Sequence, residues 1–321
     1  TLDYPDYRIV VCDNASTDDS VQHIQKWAAG KLDIVAESNC FQHVRQPYPK
    51  PLNINLQEGR IINTVDVAED ESLLTLIRNP TNLGFAGGCN VGLHYALGRG
   101  DADYCWILNN DTVVDQKALL ALVKRMQVRS DAGICGSSIL KYSNPEIVDA
   151  LGGAWYSKWL GLAWHLGRGR RLPNSIDTNL IEQRMDYVVG SSMLVSRQFL
   201  LDVGLMDESY FLYYEELDWA LRSKKKKSLA YASDSLVYHK IGGSIGTSSH
   251  PGKKSFVSDF YTLRNRLKFT RRYFPYALPT IYLGLLGALV LRLLFGQWKK
   301  ASMIVQVIFG QEVLPESLTA N

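Results

Sequence analysis

The sequence predicts an α/β protein, a mixed but mostly parallel sheet flanked by helices, and three observations carry that expectation. Apolar runs of strand length alternate with helical patterns from Tyr7 to Leu140, the spacing of βαβ units. Each run closes on Asn, Asp, Ser or Gly, as in "VVCDNASTDDS" and "WILNNDT". The chain has 321 residues, 46% apolar and 21% charged, a composition that supports a real core.

Taken in order, "YRIVVC" reads as a first strand, and the Ser/Thr/Asp cluster after it opens a helix over about 20–29. Residues 38–72 are polar, carry three prolines and show weak periodicity, so they read as an inserted surface excursion. "SLLTLIRN" (72–79) is a second strand, followed by a glycine-rich turn and a helix in "NLGFAGGCNVGLHYALGRG". "ADYCWILNND" is a third strand, with a helix near 116–129 and "AGICGSSIL" as a fourth strand beyond it. The Gly- and Trp-rich stretch over 150–180 reads as a packed loop or an acceptor-side platform. "MDYVVGSSMLVS" is strand-like, "RQFLLDVG" helix-like, and "YYEELDWALR" has the pattern of an amphipathic helix.

The last part changes character. "RRYFPYALPTIYLGLLGALVLRLLFGQWKK" holds about twenty-five largely apolar residues between two basic pairs, interrupted by Pro275, Pro279 and Arg292. In-plane attachment to a membrane surface is the first reading, a membrane span the second and a buried helix the third. The organisation expected is therefore a catalytic domain over 1–270 and a membrane-associating helical segment over 271–321. A net charge of +3 gives no case for nucleic acid as a partner. The five cysteines (12, 40, 89, 105 and 135) have no CxxC spacing, which argues for a reducing compartment and against a disulfide framework or a zinc site.

Chemistry-bearing side chains recur where strands or turns end: Asp13, Asp111, Glu215, Glu216, Asp218 and His239. Singly each has an ordinary structural reading: turn former, helix cap, solvated helix face or strand-end histidine. Together they suggest a hard divalent cation on Asp111 and His239, with a separate carboxylate, Glu215 or Glu216, as general base. A metal bridging phosphates beside an independent base suits displacement of a nucleoside diphosphate.

The blocks "VVCDNASTDDS", "NPTNLGFAGGCNVGL", "WILNNDTVVD", "DYVVGSSMLVSRQFLLDVGLMDESYFLYYEELDWALR" and "VYHKIGGSIG" resemble, in order, the motif series of family-two glycosyltransferases. Within that family the match resembles the rhamnosyltransferase-like branch. The resemblance covers about residues 5–270 and implies an inverting enzyme with the GT-A fold. It implies that Asp13 contacts the nucleotide base and that Asn82, Asn90 and Asn110 line the donor pocket with Asp111. Asp111 matches the last aspartate of a DxD motif and, with His239, implies a site for Mn²⁺ or Mg²⁺. Glu216 matches the catalytic base, with Glu215 beside it, and Ser244 is implied near the diphosphate.

Two departures accompany the resemblance. Asn109 stands where the first DxD carboxylate is expected, leaving Asp111 as the principal anionic ligand. The family's first strand–helix unit is expected ahead of Thr1, so the chain reads as lacking it. The function implied is transfer of a sugar, first dTDP-rhamnose, to a hydroxyl of a cell-surface glycan or lipid-linked acceptor. The place implied is the cytoplasmic face of a bacterial inner membrane. A nucleotidyltransferase is the rival enzyme, but no Lys or Arg in a glycine-rich N-terminal loop supports it. A membrane-attached binding module without activity is the other rival, and the joint presence of Glu216, Asp111 and His239 speaks against it.

Overall fold

The computed structural model describes residues 2–32, 48–59, 71–224, 226–240 and 255–311. Strands β1 (Ile9–Asp13), β2 (Ile54–Glu58) and β3 (Leu74–Arg78) form a parallel sheet in the order β1-β3-β2. β2 falls within the stretch read as an inserted surface excursion over 38–72, of which residues 38–47 and 60–70 lie outside the described residues. Its alternating "INLQE" is too short to stand out in a polar, proline-rich setting, but it completes a ladder on β3. Helix α1 (Ser20–Ala28) follows β1, and α2 (Gly84–Arg99) follows β3. The glycines of α2 permit close approach to β1: a Cβ at Gly92 would lie 3.1 Å from Cys12 Sγ. Left-handed Gly100 (φ +79°) then ends the helix.

The second sheet is built from β4 (Tyr104–Leu108), β5 (Thr112–Val114), β6 (Ala132–Lys141), β11 (Ser192–Ser196) and β12 (Ser228–His239). Its order is β4-β11-β6-β12-β5, with β7 (Asn144–Leu151) also on β6. Here only the β6–β12 pair is parallel, so the sheet is mixed and the parallel share is smaller than the sequence suggests. The physical reason is the connection after β6. That connection runs through hairpins rather than a crossover helix, and the chain re-enters the sheet reversed at β11. Helix α3 (Ala118–Val128) covers β6 and β12 with Leu122, Val123 and Met126.

The Gly- and Trp-rich stretch is ordered. β8 (Gly153–Ser157), β9 (Leu162–His165) and β10 (Tyr187–Val188) form a small antiparallel sheet in the order β10-β8-β9. Trp155 stacks on Trp164 across it, on the exposed face, while Tyr156 turns inward. Two short helices, α4 (Thr178–Arg184) and α5 (Arg197–Val203), flank β10 and β11 along the chain.

Helices α6 (Glu215–Ser223), α7 (Phe256–Tyr273), α8 (Leu278–Leu294) and α9 (Trp298–Ile308) complete the described chain. Ile281 and Leu285 of α8 are fully buried, in one cluster with Leu212, Phe260, Met303 and Ile304. Its other face is bare, with Leu283, Leu286, Val290 and Leu294 exposed. Pro275–Leu294 is long and apolar enough to cross a membrane, with mean hydropathy 1.9 and 17% of its apolar window buried. Arg292, expected to interrupt the apolar pattern, instead reaches Asp259 of α7 at 3.2 Å, where Lys300 of α9 also docks at 2.8 Å.

The turn before α6 is the most constrained part of the backbone. Phe211, Tyr213 and Tyr214 take φ of +63°, +67° and +75° without being glycine, which costs on the order of 1–3 kcal/mol each. Asn265 of α7 offsets that strain. Its Nδ2 lies 2.7 Å from the Tyr210 and Leu212 carbonyl oxygens and 3.0 Å from that of Tyr213. The Phe85 amide adds a bond to the Phe211 carbonyl at 2.7 Å. Asn265→Ala should therefore leave buried carbonyls unpaired and lower stability by about 3 kcal/mol, read from the midpoint of denaturant unfolding.

Candidate active site

The ends of β1, β3, β4 and β12 carry the side chains singled out in the sequence. Asp13 closes β1, nearly buried, and accepts a bond from the Ser16 amide at 3.4 Å. Asn14, the next residue, is the hub of this corner. Its Oδ1 accepts from the Leu83 amide at 3.0 Å, and its Nδ2 donates to Asn82 Oδ1 at 3.1 Å and the Gly84 carbonyl at 3.0 Å. Asn82 itself is exposed and accepts from the Gly84 amide at 2.9 Å, so it holds the start of α2.

Asn90, expected to line the donor pocket, is 2% exposed. Its amide donates to the Met206 carbonyl and Glu208, and its oxygen accepts from the Met206 amide at 3.1 Å. That side chain is committed to fastening α2 to residues 206–208. Asn110 is exposed at the turn that joins β4 to β5. Ser244 lies outside the described residues.

The short strand β5 explains why Asp111 and His239 meet. Thr112 pairs with His239 in the antiparallel β5–β12 ladder, and the Lys240 amide donates to the Asp111 carbonyl at 2.8 Å. His239 Nε2 then lies 3.3 Å from Asp111 Oδ1. On the ring's other side, Nδ1 lies 3.2 Å from Asp149 Oδ2. Asp149 is 4% exposed in β7, with Arg168 Nε 3.5 Å from its Oδ1 and His165 Nδ1 on its carbonyl at 3.2 Å. Sequence reading missed Asp149, although an acid inside the apolar run "IVDAL" is a signal that could have found it.

The electrostatics follow from this sandwich. Burial works against the charged ring of His239, but the hydrogen bonds to Asp111 and Asp149 prevail and raise its pKa to about 9. The same bond from His239 is the main cause that holds the Asp111 carboxyl below its ordinary value. Asp111 Oδ1 is buried, and His239 Nε2 is the group that faces it. A carboxylate oxygen facing an imidazole nitrogen is a donor pair that fits Mn²⁺ or Mg²⁺, the remaining positions falling to phosphate oxygens and water. Among the described residues no cluster of three or more His, Cys, Asp or Glu side chains forms a self-sufficient metal cage.

Glu215 and Glu216 open α6 directly after the strained turn. Glu215 is 2% exposed, and its Oε2 has no hydrogen-bond partner among the described residues. Burial first, and the Glu216 charge second, push its pKa well above the ordinary carboxylate range. Glu216 is half-buried and accepts from the Gly190 amide at 3.2 Å; burial raises its pKa as well. The neighbouring Ser191 carbonyl accepts from the Asn109 amide at 3.2 Å. One loop, residues 189–191, thus ties the Glu216 carboxylate to the turn that carries Asp111. Asp218, in contrast, is fully buried and spent on Arg222 at 2.7 Å and the Tyr273 hydroxyl at 2.6 Å. Cys12, Cys89, Cys105 and Cys135 are free thiols, and Cys40 lies outside the described residues.

Comparison with known proteins bears on this arrangement. The sequence pattern described as Glycosyl transferase family 2 matches residues 58–204. The chain is 23% identical over 232 residues to the low-salt glycan biosynthesis hexosyltransferase Agl10 of Haloferax volcanii, covering 71% of each chain. Among solved structures, it is similar to the mannosyltransferase PcManGT of Pyrobaculum calidifontis in complex with GDP-Man and Mn²⁺. That similarity has a TM-score of 0.47 and 12% identity, over 97% of this chain and 79% of that one. GalNAc-T7 with UDP, GalNAc and Mn²⁺ gives a TM-score of 0.44 and 14% identity. That match covers 66% of this chain, which spans 40% of the length of GalNAc-T7. The family-2 pattern over residues 58–204, set in this mixed α/β architecture, makes the chain a glycosyltransferase of GT-A-like fold.

Proposed function

We propose that the protein is an inverting glycosyltransferase that moves a sugar from a nucleotide-diphospho-sugar to an acceptor hydroxyl. The observation that carries this reading is the loop at 189–191, which sets a half-buried carboxylate, Glu216, beside the Asp111 turn. Glu216 accepts the proton of the acceptor hydroxyl as that oxygen attacks the anomeric carbon and the diphosphate leaves. Its raised pKa makes it a stronger base than an exposed glutamate, and the Gly190 amide orients it. Glu215, buried behind it, holds the first turn of α6 in a low-dielectric setting rather than touching the acceptor.

Asp111 and His239 would hold the divalent cation, and Asp149 keeps the imidazole turned toward it. When bound, such a cation stabilises the charge that develops on the departing diphosphate. Asp13 and the Asn14–Asn82 corner are placed at a strand's carboxyl end, where nucleotides sit in open α/β sheets. The rhamnosyltransferase-like motifs support dTDP-rhamnose as the first donor to test. A glycan or lipid-linked acceptor at the cytoplasmic face of a bacterial inner membrane fits the bare face of α8. There, attachment in the plane of the surface agrees with a helix whose inner face packs on the domain.

Three outcomes test this reading. Glu216→Gln should lower kcat by about 10²–10⁴-fold in a donor-transfer assay while donor binding by calorimetry stays intact. Asp111→Ala should abolish the Mn²⁺-dependent part of UDP or dTDP binding; metal-independent binding in the parent would sink the metal assignment. Glu215 carries a raised folded-state pKa, so its stabilising contribution is present below the ordinary carboxylate value and lost as pH rises through the folded one. Glu215→Gln should accordingly match the parent in Tm at pH ~4 and exceed it increasingly toward neutral pH in thermal scans.

A further inference from the structure

Arg266 is a buried cation of α7 that the proposed reaction does not use. It is 8% exposed, its Nε has no hydrogen-bond partner, and no ion pair joins it among the described residues. Two glycines from different elements make room for it. A Cβ at Gly161, in the turn of the β8–β9 hairpin, would lie 2.9 Å from Nε, and one at Gly284 of α8 would lie 2.9 Å from Nη2. Two more buried hydroxyls stand in the same place and interact with each other, that of Tyr156 and, one helical turn along α7, that of Thr270. A buried guanidinium whose Nε has no acceptor among the described residues, beside a Tyr and a Thr hydroxyl, describes a site for an oxyanion.

The surroundings say where that oxyanion comes from. Over Arg266 sits the hairpin turn, with Trp159 and Leu160 exposed and Trp159 packed on exposed Tyr276 at 5.4 Å between ring centroids. The Thr280 hydroxyl donates to the Trp159 carbonyl at 2.5 Å and locks the turn to the start of α8. From there the uncharged face of Leu283, Leu286, Val290 and Leu294 continues along α8. On the inner side, the Tyr214 hydroxyl donates to the Gly161 carbonyl at 2.6 Å, and Tyr214 directly precedes Glu215. We infer that Arg266, Tyr156 and Thr270 bind the phosphate group of a lipid-borne acceptor that enters between the β8–β9 turn and α8. The acyl part lies along the bare face of α8, and the head is delivered toward Glu216.

This inference rests on the transferase reading for the site's purpose but is tested without donor, by flotation of the full chain with vesicles. Vesicles of phosphatidylcholine, with and without a minor fraction of phosphatidic acid, supply a lipid-borne phosphate monoester as the probe. The parent should bind the phosphatidic acid vesicles about tenfold better, the equivalent of one charge-assisted hydrogen bond. Arg266→Gln and Gly284→Ala should each remove that gain and keep the binding to phosphatidylcholine alone, whereas Arg271→Gln, whose parent side chain bonds Tyr282, should retain it. Gly284→Ala decides the matter even if Arg266→Gln fails to fold, because alanine favours an exposed helical position. Unchanged vesicle binding in Gly284→Ala with a folded chain overturns the site. Binding of inorganic phosphate that needs Arg266 and gains nothing from lipid overturns the lipid source. A dimer by light scattering that ignores vesicles shows a second copy on α8 and overturns the proposal too. Lost transfer with intact vesicle binding would instead count against the transferase reading alone.

Discussion

The side-chain amide of Asn265 is the interaction on which the rest of this structure depends. The turn at 211–214 holds three non-glycine residues in left-handed backbone, and such a turn persists only where its surroundings over-determine it. Asn265 supplies that constraint from α7, and Phe85 supplies it from α2. The same turn therefore joins the C-terminal helices to the glycine-rich corner of the first sheet. Gly84 shows how close that joint is, since a Cβ there would come within 2.3 Å of the Phe211 carbonyl oxygen. Strain at this point has a use: it directs Glu216 at the loop that also positions Asp111.

The charges at the site are separated by environment rather than by distance along the chain. Two adjacent glutamates differ because α6 turns one into the core and leaves the other half-open, so burial rather than identity distinguishes them. His239 is shared between two carboxylates, one facing the cleft and one nine-tenths hidden in β7. The hidden acid fixes the ring's orientation, and the facing acid stays ionised through the imidazolium beside it. The arrangement keeps an Asp111 carboxylate oxygen facing the imidazole where a cation of the proposed reaction would be bound.

Much of this was legible in the sequence, for identifiable reasons. β1, β3, β4 and β6 are short apolar runs closed by turn formers, and their periodicity survives without tertiary context. Asp111 and His239 were legible as strand-end residues, and their 3.3 Å approach agrees with that reading. β2 was not legible, because five residues behind a run of prolines carry too little pattern, and pairing with β3 makes them a strand. The reversed entry of β11 was hidden as well, since hairpins over 144–165 look in sequence like a loop rich in Gly and Trp. Asn90 was named from a motif position, and what sequence could not show is that its amide bonds Met206 inside the fold. Arg266 was invisible because a lone buried charge is defined by partners, present or missing, that only three dimensions reveal, and Asp149 showed only as an acid inside an apolar run.

The bond from the Tyr214 hydroxyl to the Gly161 carbonyl has a mechanical meaning. The hairpin tip, the left-handed turn and the first turn of α6 form a rigid linkage, with Tyr214 as its connecting rod. A push on the tip is passed to the backbone that bears Glu215 and Glu216 instead of being absorbed by a flexible loop. The aim of the two acids is thereby set partly from the outer surface, so that whatever seats the hairpin also trues the cleft.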